Sequence, residues 1–111
     1  TAEAIEALAA AGVPQYALTN LPAEWVEPVN RLYPAMRHMR DTIVSAHEGA
    51  IKPDRRIYEI TAARLPHAPA DVIFFDDREA NIIAARDFGF DAELFTGEAK
   101  LRADLKARSL L

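Results

Sequence analysis

Residues 72–75, Val-Ile-Phe-Phe, form an unbroken apolar run that ends on two adjacent acids, Asp76 and Asp77. A strand with one wet face alternates apolar and polar residues, so a strand with no polar residue needs cover on both faces. Helices that cross over between parallel strands provide such cover, and this requirement narrows the architecture most. The flanking sequence supplies the helices. Ala80, Ile83, Ala84 and Phe88 stripe one after the acids, closed by Gly89, while Ile57, Ile60, Thr61 and Leu65 stripe another before the run. Pro53 opens that earlier helix, with Asp54 in its first turn, where a negative charge suits the helix dipole.

The alternation extends in both directions. Residues 2–11 set Ile5, Leu8 and Ala9 on one helical face, with Gly12 at the stop, and Tyr16 to Leu18 is a short strand ending at Thr19 and Asn20. Pro22 suits the first turn of a helix along which Trp25, Val26, Val29, Leu32 and Tyr33 keep helical spacing. Pro28 is expected to break or restart that helix, and Pro34 to end it. Residues 42–46 are a β-branched second strand, 47–53 and 66–71 are loops, 91–95 is a fourth strand, and 98–108 is a helix with Leu101 and Leu105 inward. This order predicts an α/β fold: a Rossmann-like three-layer αβα sandwich around a mostly parallel sheet, with residues 1–111 in a single domain.

Composition limits the partners. Thirteen basic and seventeen acidic residues leave a formal charge of −4, without the basic face that a nucleic-acid binder needs. The chain has no cysteine, hence no disulfide and no thiolate metal site. No apolar run approaches the roughly 20 residues of a membrane span, and no signal-peptide pattern opens the chain. The expectation is a cytoplasmic protein with no nucleic-acid or membrane partner. The chain starts without Met and already inside a helical pattern, as a piece of a longer protein would.

In open α/β sheets, ligands sit beyond the carboxyl ends of the strands. Thr19, the loop carrying Lys52, and the pair Asp76 and Asp77 all fall there. Adjacent carboxylates repel, the more so when partly buried. A Mg²⁺ ion, which takes a few carboxylate oxygens with waters and phosphate oxygens, reverses the sign of that problem. Successive strand side chains point opposite ways, so one acid would touch the ion and the other act through water or a neighbour. Asp77 is also a suitable cap for the next helix. The Thr19 hydroxyl suits a phosphoryl oxygen, although Thr also ends strands for no further reason. Pro53 holds Lys52 extended just before a helix start, where an ammonium makes an anion site. His38, His47 and His67 lack metal-ligand spacing and read as loop or surface residues. Lys100, Arg102, Lys106 and Arg108 read as a solvated face, and Trp25 as a packing residue, close enough to Thr19 to line an entrance.

Taken in order, these features resemble the haloacid dehalogenase (HAD) superfamily. "YALTN" resembles its second motif, a strand ending in Thr or Ser; "GAIKPDRRIYE" resembles the third, a Lys-Pro before a helix. "VIFFDDREANIIAARDFGFDAELFTG" resembles the fourth, an acidic pair after an apolar strand. The resemblance implies that Thr19, with Asn20, binds the transferred phosphoryl group and that Lys52 neutralises charge on it and on the nucleophile. It also implies that Asp77 ligates Mg²⁺ with Asp76 assisting, and that Asn81 belongs to the surrounding hydrogen-bond shell. The first motif, Asp-x-Asp-x-Thr, which carries the nucleophilic Asp, is absent, and no Asp-x-Asp occurs in the chain. In the family that motif ends the central strand, so the chain resembles the C-terminal part of a HAD core, without strand one and cap. The expected sheet therefore has a gap of about two strand spacings, roughly 9–10 Å, to be filled by the missing N-terminal segment of the same protein. The implied activity is a Mg²⁺-dependent phosphatase on a small phosphorylated metabolite, working through an aspartyl-phosphate, with this chain inactive alone. A 2-haloacid dehalogenase is the alternative enzyme, although a metal-free site gains little from paired acids. A non-catalytic module is the third reading; receiver domains run acids, Thr, Lys, whereas here the order is Thr, Lys, acids.

Overall fold

The computed structural model describes all residues 1–111. The apolar stretches pair as two separate two-stranded sheets, both parallel: β1 (Gln15–Thr19) with β2 (Met39–Val44), and β3 (Ile73–Asp76) with β4 (Asp91–Leu94). Helices α1 (Ala2–Ala10), α2 (Ala23–Leu32), α3 (Ser45–Glu48), α4 (Arg55–Arg64), α5 (Glu79–Phe88) and α6 (Glu98–Ala107) alternate with the strands. Short 3₁₀ turns at Pro34–His38 and Pro69–Asp71 lead into β2 and β3. No helix is long and apolar enough to cross a membrane.

Side-chain alternation along β3 shows the layering. Phe74 packs on the cluster built from Ile43, Ile57, Tyr58, Ile82 and Ala85, which gathers α4 and α5 on one face. Its neighbour Phe75 packs on Ala4, Leu8, Leu101 and Leu105, where α1 and α6 meet on the other. The result is a Rossmann-like αβα arrangement with helices on both faces, as a run without polar residues requires. Tyr58 centres the first cluster, edge-on to Phe74 at 6.0 Å and to Phe90 at 6.4 Å, and tilted against Phe88 at 6.4 Å.

The sheet is incomplete. β1 and β3 are not hydrogen-bonded to each other, and every residue of both strands is only partly buried. Between them runs a mostly apolar cleft of about 730 Å³, with Tyr16, Leu18, Ile73 and Phe75 in its walls.

Several local expectations are corrected. The second strand covers 39–44 rather than 42–46, because Gln15 pairs with Met39 and extends the ladder at its start. Ser45 and Ala46 belong instead to the single turn α3, closed by Gly49 in the left-handed region at φ +70°. α2 runs through Pro28 without a break. The helix buries none of its residues, so water can serve the Glu24 carbonyl that Pro28 cannot. Trp25 is not a packing residue but 56% exposed. α4 begins at Arg55, two residues later than expected, with Asp54 as its N-cap rather than in its first turn, and the Lys52–Pro53 peptide is cis. The inner stripe of α5 is Asn81, Ile82 and Ala85; Ala80 and Ile83 face solvent.

Ile57 is fully buried at the centre of the larger cluster. Ile57→Ala should therefore lower stability by about 2–5 kcal/mol, read as a shift of the urea midpoint with unchanged slope.

Candidate active site

The strand ends place the polar residues. β3 stops at Asp76, β1 stops at Thr19, and Lys52 sits in the loop just before α4. The Lys52 ammonium donates to Asp76 Oδ2 at 2.7 Å and to the Leu18 carbonyl at 3.1 Å, joining the ends of β3 and β1 across the cleft. It also lies 5.9 Å from the centroid of Phe74. Asn20 fastens the two loops: its side-chain NH₂ donates to the Lys52 carbonyl at 3.3 Å, and its Oδ1 accepts the Lys52 N–H at 3.1 Å.

Asp76 is the hub. Its Oδ2 also accepts from Asn81 Nδ2 at 3.0 Å, and its Oδ1 accepts the Arg78 N–H at 2.9 Å. That last bond makes a local Asx-type turn and leads the chain from β3 into α5. Asp77 does not cap α5, since Arg78 occupies the cap position. The Asp76 side chain is only 6% exposed and that of Lys52 12%. Burial pushes the Asp76 carboxyl up, but the hydrogen bonds from Lys52, Arg78 and Asn81 outweigh it and hold the group below the usual carboxylate range.

Asp77 has a different environment. It lies on the cleft wall with an exposed side chain and enters none of these hydrogen bonds. The acids thus divide: Asp76 is committed to the protein, and Asp77 is open to a ligand. Thr19 stands just outside the cleft wall; its hydroxyl accepts the Leu21 N–H at 3.1 Å, leaving its own hydrogen to be donated elsewhere. The structure therefore brings Lys52, Asp76, Asp77 and Asn81 to one rim, with Asn20 and Thr19 at the adjoining end of β1. No three His, Asp or Glu side chains converge into a complete metal cage. Asp77, with Asp76 behind it, fits a Mg²⁺ ion that draws its remaining ligands from water, phosphate or another segment.

Sequence reasoning missed the Leu18 carbonyl, the Arg78 N–H and Tyr58, whose hydroxyl donates to the Asn81 carbonyl at 3.1 Å. Main-chain partners leave no trace in residue type. The Asx turn did have a signal, an Asp two residues ahead of a helix cap.

Residues 1–89 match the family profile described as haloacid dehalogenase-like hydrolase. The chain belongs to the haloacid dehalogenase-like hydrolases. Among curated relatives, a sesquiterpene phosphatase of Aspergillus oryzae is 33% identical over 78 residues, covering 70% of this chain and 40% of that protein. A dehalogenase crystallised with an intermediate is 27% identical, with a TM-score of 0.76, covering 82% of this chain and 40% of its own. A HAD-like family hydrolase from Porphyromonas gingivalis, 20% identical, shares the fold at a TM-score of 0.82 over 97% of this chain and 57% of that one. The chain thus spans about two fifths of the phosphatase and of the dehalogenase.

The depressed Asp76 pKa fixes the sign of a pH effect. The stability it contributes is present above the ordinary Asp value of about 3.9 and is lost as pH falls through the lower folded value. Urea midpoints measured down a pH series should show this acid component, and Asp76→Asn should lack it. Lys52→Met, which strands Asp76 without its ammonium, should cost roughly 3–5 kcal/mol at neutral pH and raise the Asp76 pKa seen by carboxyl-carbon NMR.

Proposed function

We propose that this HAD chain is the phosphate- and metal-binding part of a Mg²⁺-dependent phosphatase acting on a small phosphorylated metabolite. The observation that carries the reading is the division of labour at the rim: Lys52 and Asp76 neutralise one another across the cleft, and Asp77 is left open beside them. Phosphoryl transfer needs positioned positive charge more than covalent machinery. The Thr19 O–H is available to a phosphoryl oxygen, and Lys52 has a third N–H beyond those given to Asp76 and Leu18. Mg²⁺, when bound, supplies positive charge against the charge that develops on the phosphoryl oxygens. Asp77 would hold it, with Asp76 and Asn81 keeping the local backbone and charge in place. The sesquiterpene phosphatase relative supports phosphate-ester chemistry.

The chain has no Asp-x-Asp, so the nucleophilic aspartate would come from another segment. The cleft between β1 and β3 offers a place: two parallel strands with free edges face one another across an apolar gap. A strand added there, parallel to both, would bring a residue at its carboxyl end to the rim with Lys52 and Asp77. That residue would attack phosphorus, form an aspartyl-phosphate and release the alcohol, and water would then hydrolyse the intermediate.

A second reading, a dehalogenase attacking carbon, is favoured by the 27% identity to the dehalogenase structure. The two separate on metal dependence, because paired acids serve a cation.

Mass spectrometry of the protein from its native source should reveal an additional Asp-x-Asp-x-Thr segment, either continuous with this chain or as a separate peptide. The assembled enzyme should hydrolyse p-nitrophenyl phosphate, lose activity to a chelator and regain it with Mg²⁺, and Asp77→Asn should lower kcat by about a hundredfold or more. The 111 residues alone should be inactive. Phosphatase activity in the isolated chain that survives Asp77→Ala would contradict the proposal, and halide release untouched by chelator would favour the dehalogenase.

A further inference from the structure

The two donors assigned to the phosphoryl group stand on separate segments: Thr19 ends β1, and Lys52 lies in the loop before α4. Lys52 belongs to no helix or strand, so no ladder holds its backbone. Its N–H and carbonyl have no main-chain partner. Both go instead to one side chain. Asn20 Oδ1 accepts the N–H at 3.1 Å, and Asn20 Nδ2 donates to the carbonyl at 3.3 Å. A carboxamide that takes both main-chain groups of a single residue does what a neighbouring strand would do. It fixes the root of the lysine side chain.

The tip is tied to the same stretch, because the ammonium donates to the Leu18 carbonyl at 3.1 Å as well as to Asp76. Residues 18 to 20 therefore hold Lys52 twice, at the ammonium through Leu18 and at the backbone through Asn20, with Thr19 between them. A flexible lysine stem places its charge only as well as its root is held. We propose that Asn20 is a positioning residue: it sets the Lys52 ammonium against the Thr19 hydroxyl, and acts on the reaction through Lys52 rather than by contact of its own side chain with phosphate. The inference rests on the phosphatase reading. The family resemblance pairs Asn20 with Thr19 on the phosphoryl group, but the carboxamide oxygen cannot donate to an anion, and one Nδ2 hydrogen is already given to Lys52. All the partners lie within this chain, so the clasp does not depend on what fills the cleft.

The test is made on the assembled enzyme with Asn20→Ala, a change at an exposed position. Two NMR signals report on Lys52 itself: hydrogen exchange of its main-chain amide, and the ¹⁵N signal of its ammonium, which is sharp only while the group is held on its acceptors. Turnover of p-nitrophenyl phosphate gives kcat and KM. Asn20→Ala should speed exchange of the Lys52 amide by about fivefold to tenfold and broaden the ammonium signal. It should lower kcat by about ten- to a hundredfold, with KM changed less. Asn20→Asp, which still offers an oxygen to the Lys52 N–H, should restore the protection of that amide. A loss of turnover with both Lys52 signals unchanged would overturn the inference, because Asn20 would then touch phosphate directly. Lys52 signals that change while kcat and KM do not would overturn it too, as the clasp would then be structural only. Unchanged signals and unchanged kinetics would show that no clasp forms. Wild-type enzyme that neither turns over p-nitrophenyl phosphate nor binds inorganic phosphate would instead remove the phosphatase reading, and this role with it.

Discussion

A lysine ammonium withdrawn from water must find acceptors, and Lys52 finds them on both sides of a cleft that no sheet hydrogen bond crosses. Its bonds to the Leu18 carbonyl and to Asp76 tie the end of β1 to the end of β3. Breaking such a pair leaves a charge stranded in a poorly solvated place, which costs more than the pair contributes when intact. The same bonds explain why the adjacent acids coexist. Asp76 is neutralised from within the chain, so Asp77 carries its charge at the rim without a second bare carboxylate beside it.

The rest of the molecule serves that geometry. α4 and α5 hold Lys52 and Asn81 against the cluster around Tyr58, and the Tyr58 hydroxyl holds the Asn81 carbonyl directly. Burial, with the Asp76 charge adding to it, pushes the Tyr58 pKa up to about 12, so this hydroxyl stays a donor at neutral pH. α1 and α6 cover the other face through Phe75. At the outer edge, β4 is wrapped in charge: Arg108 bridges Asp91 and Glu93, and Arg86 donates to the Ala92 carbonyl. An edge so covered is a poor template for pairing. The inner edges facing the cleft have no such protection, and their partial burial is what an added strand would complete.

Much of this was legible in the sequence because the polar residues sit where strands hand over to helices, and Pro, Gly and Asp punctuate those points. Thr19, Lys52, Asp76 and Asp77 could be assigned to one rim from the α/β alternation alone. The phase of α5 could not. Apolar spacing fits Ala80, Ile83, Ala84 and Phe88, yet the helix turns Asn81 inward, because an amide bonded to Asp76 is satisfied when buried. Trp25 misled for the opposite reason. Hydrophobic spacing shows that a face is apolar but not whether the chain itself supplies the cover. The Lys52–Asp76 pair was equally hidden, since residue types at strand ends say nothing about which acid the lysine chooses.

Paramagnetic broadening by Mn²⁺ in the presence of phosphate tests the central claim most directly, read on assigned amide signals of the chain. If the rim is one site, the signals of Asp76 to Arg78 should vanish first, those of Leu18 to Asn20 and Lys52 next, while Ala4 and Leu105 stay sharp. Broadening that instead centres on the acidic surfaces of α2 or α6, leaving Asp77 unaffected, would contradict it.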